Sequence, residues 1–492
     1  MLKIEEINGF IQNDAASDKK RAAKVGVNYY DGIHDIKDYR IFFIDADGQF
    51  KEDKTKSNIK ISHPFFKILA DQEVQYILSG EDGIFKSDNP KLQEVLDERF
   101  NNNDEFMSEL YDTILGSIVK GSDYMYAYKK QDGTTAFQNA DGIGVVEVRA
   151  KETDDGCEYV IFWYVDRIGK DNKKIKRIQV WDNTQTHFFC QEDDGKIVPD
   201  TSEKINPRPH AIYKKDGDDS LYYEDFGFIP FFRLDNNKKQ QSGLIPIKDK
   251  IDDYDLMSCG LSNNIQDTNE ALYVVKGFQG DNLDELMTNI KAKKHIGVGE
   301  DGDVEIRTID IPYEARRIKM EIDEKNIFRF GMGVNTEGLK DTSATVSVAV
   351  KSAYANLDLK CNGFNKGLRK FLGNLTKVTL KEINDTQGTD YQLKDVWFNL
   401  EREIITNAQE NAQIKLVEAQ KKQVEITTLL NLGAHLDNET LMELVFEQLE
   451  LNYEDYKEKL PKPNENDPYK AQSALDAIQP EDDPAVGGDV IE

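Results

Sequence analysis

Cysteine is scarce in this chain of 492 residues, and its four copies stand far apart in the sequence. Cys157, Cys190, Cys259 and Cys361 form no CxxC pair, the spacing typical of zinc ribbons and dithiol redox motifs. So few and so widely separated cysteines do not suggest a disulfide framework. We therefore predict four reduced, buried thiols.

Long apolar runs are missing as well. Charged residues interrupt every apolar stretch before it reaches the length that crosses a bilayer, so we predict no membrane association. Residues 1–6 lack the cationic and then apolar pattern of a signal peptide. We expect the protein to be made in a cytoplasm.

Catalytic motifs are also absent. The sequence has no GxxxxGK[ST] phosphate loop, so no ATPase motor is expected, and its six histidines show no HExxH spacing. Residues 297–302 match GxGxxG, but the residues after them alternate like a strand, whereas a dinucleotide site needs a helix there. We predict a hairpin turn at this position, and neither a cofactor nor a metal.

Basic residues are outnumbered by acidic ones, 63 to 91, which gives a net charge of −28. Tight binding to phosphate relies on concentrated Lys and Arg, so the free subunit is not expected to hold nucleic acid, and solubility is the simplest reason for the acidity. Asp252, Asp253 and Asp255 are compatible with a metal-dependent nuclease. Neighbouring helical positions point about 100° apart, however, so a solvated or subunit-contact face explains this cluster better.

Apolar periodicity in the first half predicts a mixed chain of helices and strands. Helical spacing occurs near the N-terminus, within 58–80 and at 93–120. Alternation predicts strands at 123–130, 142–150, 158–166, 175–182 and 226–237.

The second half follows a helix, insert, helix, loop, helix order. Helices are predicted at 246–270 and 313–330, a long helix at 345–375, and further helices up to 460. The insert is predicted to contain strands at 271–275, 294–298 and 304–309 and a helix at 281–291, and one more strand is predicted at 391–398. Residues 461–492 are rich in Pro, Asp and Glu and are expected to be disordered. Six apolar residues of the C-terminal helices are expected to pack in a core, with a partner-binding face as the alternative: Leu416, Val417, Val424, Leu429, Leu430 and Leu432.

Several segments resemble the portal proteins of long-tailed phages that infect Gram-positive bacteria. The resemblance lies in the order and spacing of segments 28–36, 58–80, 228–237, 243–265 and 343–360. One departure occurs before the long helix, where such portals often carry a Gly-Asn…Ser-Gly pattern. Residues 338–345 of this chain lack the second glycine.

The resemblance implies a portal fold of the α+β class, assembled as a homo-oligomeric ring that is expected to be a dodecamer. Its regions would be the wing (1–245 and 346–399), the stem helices (246–270 and 313–330), the clip (271–312), the tunnel loop (331–345) and the crown (400–460).

The same resemblance implies a place in the virion, at one vertex of the capsid, as a conduit for double-stranded DNA during packaging and ejection. An acidic wall repels phosphate and would let DNA slide without sequence specificity. The expected partners are the large terminase subunit, a head-completion or adaptor protein, and the major capsid and scaffold proteins. The ring is expected to initiate capsid assembly and to carry out no catalysis.

Predicted functional residues lie in the tunnel loop and the second stem helix. Those expected to contact the DNA backbone are Asn335, Thr336, Lys340, Asp341 and Thr342, with Gly331, Gly333 and Gly338 as hinges. Lys340 is the favoured phosphate contact, and its pairing with Asp341 or solvent is equally open. Intersubunit ion pairs are expected from Arg316, Arg317, Lys319, Lys325 and Arg329, with DNA contact as the alternative. Two other functions stay open: another phage structural protein, such as a capsid or tail component, and an acidic nuclease.

Overall fold

The protein, described here by a computed structural model, divides into two compact units, Met1–Ile405 and Thr406–Glu492. The structure describes residues 1–45, 47–54, 56–80, 82–151, 156–168, 172–193, 195–214, 220–267, 272–278, 298–307, 313–335, 347–402, 408–431, 438–449 and 453. Helices and small antiparallel sheets are both prominent in the first unit, so the α+β prediction is confirmed.

The N-terminal helical stretch is divided into two helices, α1 (Ile4–Ala15) and α2 (Asp18–Tyr30). The break lies at Ser17, whose hydroxyl accepts a hydrogen bond from the amide of Lys20 at 3.2 Å. This contact caps the start of α2. A 3-10 turn and a two-stranded hairpin follow, at Asp35–Asp38, β1 (Phe42–Ile44) and β2 (Phe50–Glu52).

Residues 58–80 and 93–120 form helices with sharper limits than the periodicity indicates. The first helix, α3 (Phe65–Ile77), begins only after Pro64, because a residue that precedes proline avoids the helical conformation. The second stretch is interrupted by a π turn and restarts at Asn103, whose side chain caps the following helix. The elements are β3 (Phe85–Lys86), α4 (Pro90–Leu96), the π turn Asp97–Asn101 and α5 (Asp104–Lys120).

The predicted strand-rich region forms three antiparallel sheets. The largest has the order β10-β9-β8-β7-β6, with β11 also paired to β9; a second has the order β14-β4-β5, and β12 pairs with β13. The strands are β4 (Ser122–Lys129), β5 (Thr135–Ala140), β6 (Val145–Val148), β7 (Tyr159–Ile168), β8 (Lys173–Trp181), β9 (Gln185–Glu192), β10 (Val198–Pro199), β11 (Arg208–Pro209), β12 (Ala211–Lys214), β13 (Leu221–Glu224) and β14 (Phe231–Asp235).

The helix, insert, helix, loop, helix order is present. The elements are α6 (Lys248–Asp267), β15 (Leu272–Phe278), β16 (Val298–Arg307), α7 (Tyr313–Gly331) and α8 (Ser347–Gln387). The predicted helix at 281–291 lies outside the described residues.

The GxGxxG segment differs from its prediction. Lys276 pairs with Asp303, and Phe278 pairs with Val298, so residues 299–302 form a bulge within β16 and not a turn between two strands. A side chain at Gly302 would collide with the carbonyl oxygen of Lys276, which is why glycine fits this bulge.

The predicted strand at 391–398 is mostly wrong. A 3-10 turn, Leu393–Asp395, occupies its centre, and only β17 (Trp397–Phe398) pairs, with β3. In the second unit, α9 (Ala408–Asn431) and α10 (Asn438–Gln448) confirm the helical prediction. Leu416 and Val424 of α9 are exposed, so the predicted core packing is wrong for these two side chains within one chain.

One large apolar core holds the first unit together and joins distant parts of the sequence. It contains Phe66 of α3 and Leu110 of α5, and also Leu368 of α8. Ile251 of α6 and Ile327 of α7 belong to it as well. The chain therefore leaves this core along α6 and returns to it along α7.

The cysteine prediction is confirmed for the free thiols Cys259 and Cys361, which are buried, while Cys157 and Cys190 are free and half-buried. Burial raises the pKa of the Cys361 thiol to about 12. Among the residues that the structure describes, no helix has the length and apolar character to span a membrane.

Candidate functional site

Helices α6 and α7 pack as an antiparallel pair. Lys319 of α7 binds the carboxylates of Asp253 on α6 and Asp323 on its own helix. One helical turn away, the guanidinium of Arg316 donates to the carbonyl oxygen of Met257 at 3.5 Å. Lower residue numbers on α7 thus meet higher numbers on α6, and the two helices run in opposite directions.

The five basic residues predicted to pair between subunits separate into two groups. Arg316 and Lys319 contact α6, and Arg317 forms ion pairs with Glu314 at 3.0 Å and Glu321 at 2.7 Å. Lys325 and Arg329 are exposed and make no ion pair within the described ranges. These two side chains have the charge most available to a neighbour, and the intersubunit role of all five stays a prediction.

Two predicted hinge glycines lie at the end of α7, where the chain passes very close to α3. A Cβ atom at Gly333 would lie 2.1 Å from Leu69 Cδ2, and one at Gly331 would lie 2.7 Å from Leu69 Cδ1. Both positions therefore need glycine for packing against Leu69. This reason is separate from the hinge role, which stays a prediction.

The chain after α7 is held by a side-chain amide and a lysine. Gln72 Nε2 donates to the carbonyl oxygen of Val334 at 3.1 Å, and Gln72 Oε1 accepts from the Val334 amide at 2.8 Å. Lys360 of α8 donates to the carbonyl oxygen of Gly331 at 3.0 Å and forms an ion pair with buried Glu73 at 2.9 Å. Residues 331–334 are thus fixed between α3 and α8.

Only one of the predicted DNA-contacting residues lies in the described part of the loop. Asn335 donates to Glu324 Oε1 on α7 at 3.3 Å. The other predicted loop residues, Thr336, Gly338, Lys340, Asp341 and Thr342, lie outside the described residues.

An extended segment, residues 57–63, runs along α6, and we call it the strap. Four of its amide groups donate to side chains of α6: Ser57 to Asp267 (3.2 Å), Ile59 to Asn263 (2.7 Å), Ile61 to Cys259 (3.1 Å) and His63 to Asp255 (3.0 Å). Two extended residues span about 6.6 Å, and four helical residues about 6.0 Å. Every second strap amide therefore meets every fourth α6 side chain, and the register persists over four contacts.

Asp255 lies at the centre of these contacts and is fully buried. Its carboxylate binds Nδ1 of His34 at 2.6 Å and Nδ1 of His63 at 2.7 Å. Nε2 of His34 faces the carbonyl oxygen of Tyr29 at 3.2 Å, so both ring nitrogens lie within hydrogen-bond distance of an oxygen atom. Burial opposes ionisation of Asp255, but the hydrogen bonds from His34 and His63 hold its pKa below the ordinary value.

A second cluster lies one turn before Asp255 on α6. The Tyr29 ring stacks on His34 with 4.4 Å between centroids, and the Tyr29 hydroxyl donates to Asp252. Lys248 forms ion pairs with Asp252 at 2.7 Å and Asp35 at 2.6 Å. Burial and the bond to Asp252 raise the pKa of Tyr29. The start of α6 is therefore held by α2 and the turn that follows it.

The acidic cluster considered for metal binding is divided among three sets of partners. Asp252 binds Tyr29 and Lys248, Asp253 binds Lys319, and Asp255 binds the two histidines. Within the part of the chain that is described, no group of three or more His, Cys, Asp or Glu residues is arranged to hold a metal ion. The contacts of these three carboxylates position α6.

Sequence reasoning identified the segments that meet here but missed the roles of their residues. Segments 28–36, 58–80 and 243–265 supplied the resemblance, and the structure brings them into one polar network. His34, His63, Asp255 and Gln72 were not predicted to hold it together. A signal was present in α6, where the polar residues Asp255, Cys259, Asn263 and Asp267 recur every four positions.

A family model and two related proteins all match this chain to phage portal proteins. The family model described as "Phage portal protein, SPP1 Gp6-like" matches residues 9–458. The portal protein of Bacillus phage SPP1 is 27% identical over 345 residues, which cover 70% of this chain and 66% of that protein. The portal protein of Clostridium phage phiCD119 is 25% identical over 430 residues, covering 84% of this chain and 89% of that protein. The match thus spans just under two thirds of the first relative's length.

Proposed function

Because this chain belongs to the SPP1 Gp6-like family of phage portal proteins, we propose that it forms a closed ring at one vertex of the capsid. Double-stranded DNA would pass through this ring during packaging and ejection. Portal proteins are structural components of the virion, and this role is the premise for the finer assignments that follow.

The observation that best supports a ring is the excursion of the chain from its main core. Ile251 and Ile327 are both buried in that core, and α6 continues 16 residues beyond Ile251 to Asp267. At 1.5 Å per residue this length corresponds to about 24 Å. A paired-helix excursion of this kind suits a stem that carries a small insert away from the wing.

The region assignments follow from this plan. We assign α6 and α7 to the stem, the residues between them to the clip, residues 331–345 to the tunnel loop, and residues 400–460 to the crown. The clip would receive the large terminase subunit during packaging and a head-completion or adaptor protein afterwards. The ring would bind major capsid and scaffold proteins when it initiates assembly.

The tunnel would guide DNA without reading its sequence. Contacts of the loop, with Lys340 favoured, would go to the phosphate backbone, and the net charge of −28 would limit adhesion of DNA to the walls. The chain itself would perform no catalysis, and ATP hydrolysis would belong to the terminase.

Two experiments test the proposal. Negative-stain images and sedimentation velocity of the purified protein should show a closed ring with a central hole. A tube, or a monomer with Mg²⁺-dependent nuclease activity, would overturn it. Shortening residues 335–343 should leave the rings intact and impair DNA packaging or retention, and unchanged packaging would contradict the role of the loop.

A further inference from the structure

The β1–β2 hairpin exposes large apolar side chains to an unusual degree. Pairing sets Ile44 opposite Phe50 and Phe42 opposite Glu52, so Phe42, Ile44 and Phe50 share one face, because paired and alternate residues point to the same side. Their exposed fractions are 55%, 62% and 76%. Phe43, on the other face, is 45% exposed.

Contacts within the described part of the chain leave about half or more of each of these side chains exposed. None of the three apolar clusters includes a residue of the hairpin. A two-stranded hairpin is only marginally stable by itself in water, and a regular hairpin with four exposed apolar residues gains stability when a partner covers it.

The exposed area suits a protein interface. With about 200 Å² for each large apolar side chain, the exposed fractions of the three that share a face, Phe42, Ile44 and Phe50, add up to roughly 390 Å². A stable interface takes about 800 Å² from each partner. This face of the hairpin therefore supplies about half of one side of such an interface.

Charge pairing within the hairpin favours contact with another acidic molecule. Lys51 pairs with Asp45 at 2.7 Å, and Arg40 pairs with Glu52 at 3.5 Å. Two copies of a chain with net charge −28 repel each other over most of their surface. A contact between copies is favoured where apolar groups are exposed and part of the nearby acidic charge is compensated.

We propose that the β1–β2 hairpin docks on the neighbouring copy of this chain through Phe42, Ile44 and Phe50. The inference rests on the proposed ring, in which each subunit meets its neighbour through two different patches. Each hairpin in such a ring has one neighbouring subunit available to cover it.

The first test is the variant Phe42→Ser with Phe50→Ser. Its subunits should fold as wild type does, by circular dichroism and thermal unfolding, because these side chains contribute little to the core. The concentration needed for half-maximal ring formation should rise at least tenfold in sedimentation velocity. Leu221→Ser with Tyr223→Ser is a matched control on the β12–β13 hairpin, where both side chains are 51% exposed, and it should assemble as wild type does.

The second test identifies the molecule that covers the hairpin. With p-benzoylphenylalanine in place of Phe50, ultraviolet light should link subunits of the assembled wild-type ring into a ladder of dimers and higher species. Links confined to one chain would overturn the inference, because a segment of the same subunit would then cover the hairpin. Rings of the serine variant at the wild-type concentration would also overturn it and leave the proposed function standing. A wild-type protein that forms no ring would contradict the proposed function itself.

Discussion

Asp255→Ala is the perturbation with the most clearly defined consequence. The substitution removes a buried carboxylate that accepts hydrogen bonds from Nδ1 of His34, Nδ1 of His63 and the His63 amide. Each buried donor left without its acceptor costs about 1–3 kcal/mol, and this substitution removes the acceptor of several donors at once. We expect a loss of this size, felt first in the strap and in the residues around His34.

Hydrogen–deuterium exchange measures this loss locally. The amides of Ile59, Ile61 and His63 donate to α6 side chains, so opening of the strap exposes them together. Since 1.36 kcal/mol corresponds to a tenfold change in an equilibrium, a loss of about 3 kcal/mol should raise exchange in residues 57–63 roughly a hundredfold. Amides in the middle of α5 should change much less.

Two matched variants distinguish the loss of the Asp255 contacts from a general effect of removing a carboxylate from α6. Asp255→Asn keeps the shape and one acceptor, so its effect should fall between wild type and alanine. Asp249→Ala removes an exposed carboxylate from the same helix, one without a partner among the described residues, and should change stability by less than about 0.5 kcal/mol. Unchanged strap exchange in Asp255→Ala would refute the reasoning.

The remaining predictions concern the chain after α7 and one buried acid. Gln72→Met removes both hydrogen bonds to the Val334 backbone and should raise exchange at residues 332–335, with a cost of about 1–3 kcal/mol in chemical unfolding. Gly333→Ala places a methyl group against Leu69 and should cost about 1–3 kcal/mol from overpacking; a wild-type melting temperature would contradict this. Burial raises the pKa of Asp123 to about 6, above its unfolded value, so this group should make the free energy of unfolding increase as pH falls from 7 towards 4. Asp123→Asn should flatten that dependence, and an equally steep curve in urea unfolding would count against it.

Local elements were predictable where one periodicity dominates a long segment. The helix predicted at 246–270 is α6, Lys248–Asp267, and the one predicted at 313–330 is α7, Tyr313–Gly331. Each helix has a mostly polar surface and few buried positions. Proline and glycine residues near the helix ends indicated where the predicted helices begin or end. The family resemblance then suggested that these two helices form a stem, which periodicity alone does not indicate.

The strap and the buried network were not predictable, because they depend on long-range pairing. Asp255 meets His63 across 192 residues and His34 across 221 residues. In the sequence of α6 alone, nothing distinguishes Asp255 from the half-buried acids Asp252 and Asp253. The nuclease alternative arose from this ambiguity, and the separate partners of the three carboxylates argue against a shared metal site at these positions.

The bulge in β16 shows the same limit at short range. Gly297 to Gly302 contains enough glycine for a turn, and a turn was predicted. Whether such a segment reverses the chain or bulges within a strand depends on the register of the opposite strand, here Lys276 and Phe278. The sequence of the segment itself does not determine that register.

The polar character of the strap contact has a mechanical reason if α6 belongs to a stem. An apolar contact between an extended chain and a helix tolerates sliding, because apolar packing has little directional preference. Four hydrogen bonds at matched spacing, with a buried carboxylate at one end, fix a single register, and a shift by one residue would break all four bonds. A force along α6 would thus pass into the strap, α2 and the core. On the neighbouring helix α7, Gln72 and Lys360 hold the chain that follows its C-terminus. The pair formed by α6 and α7 is thus anchored at its base through both helices.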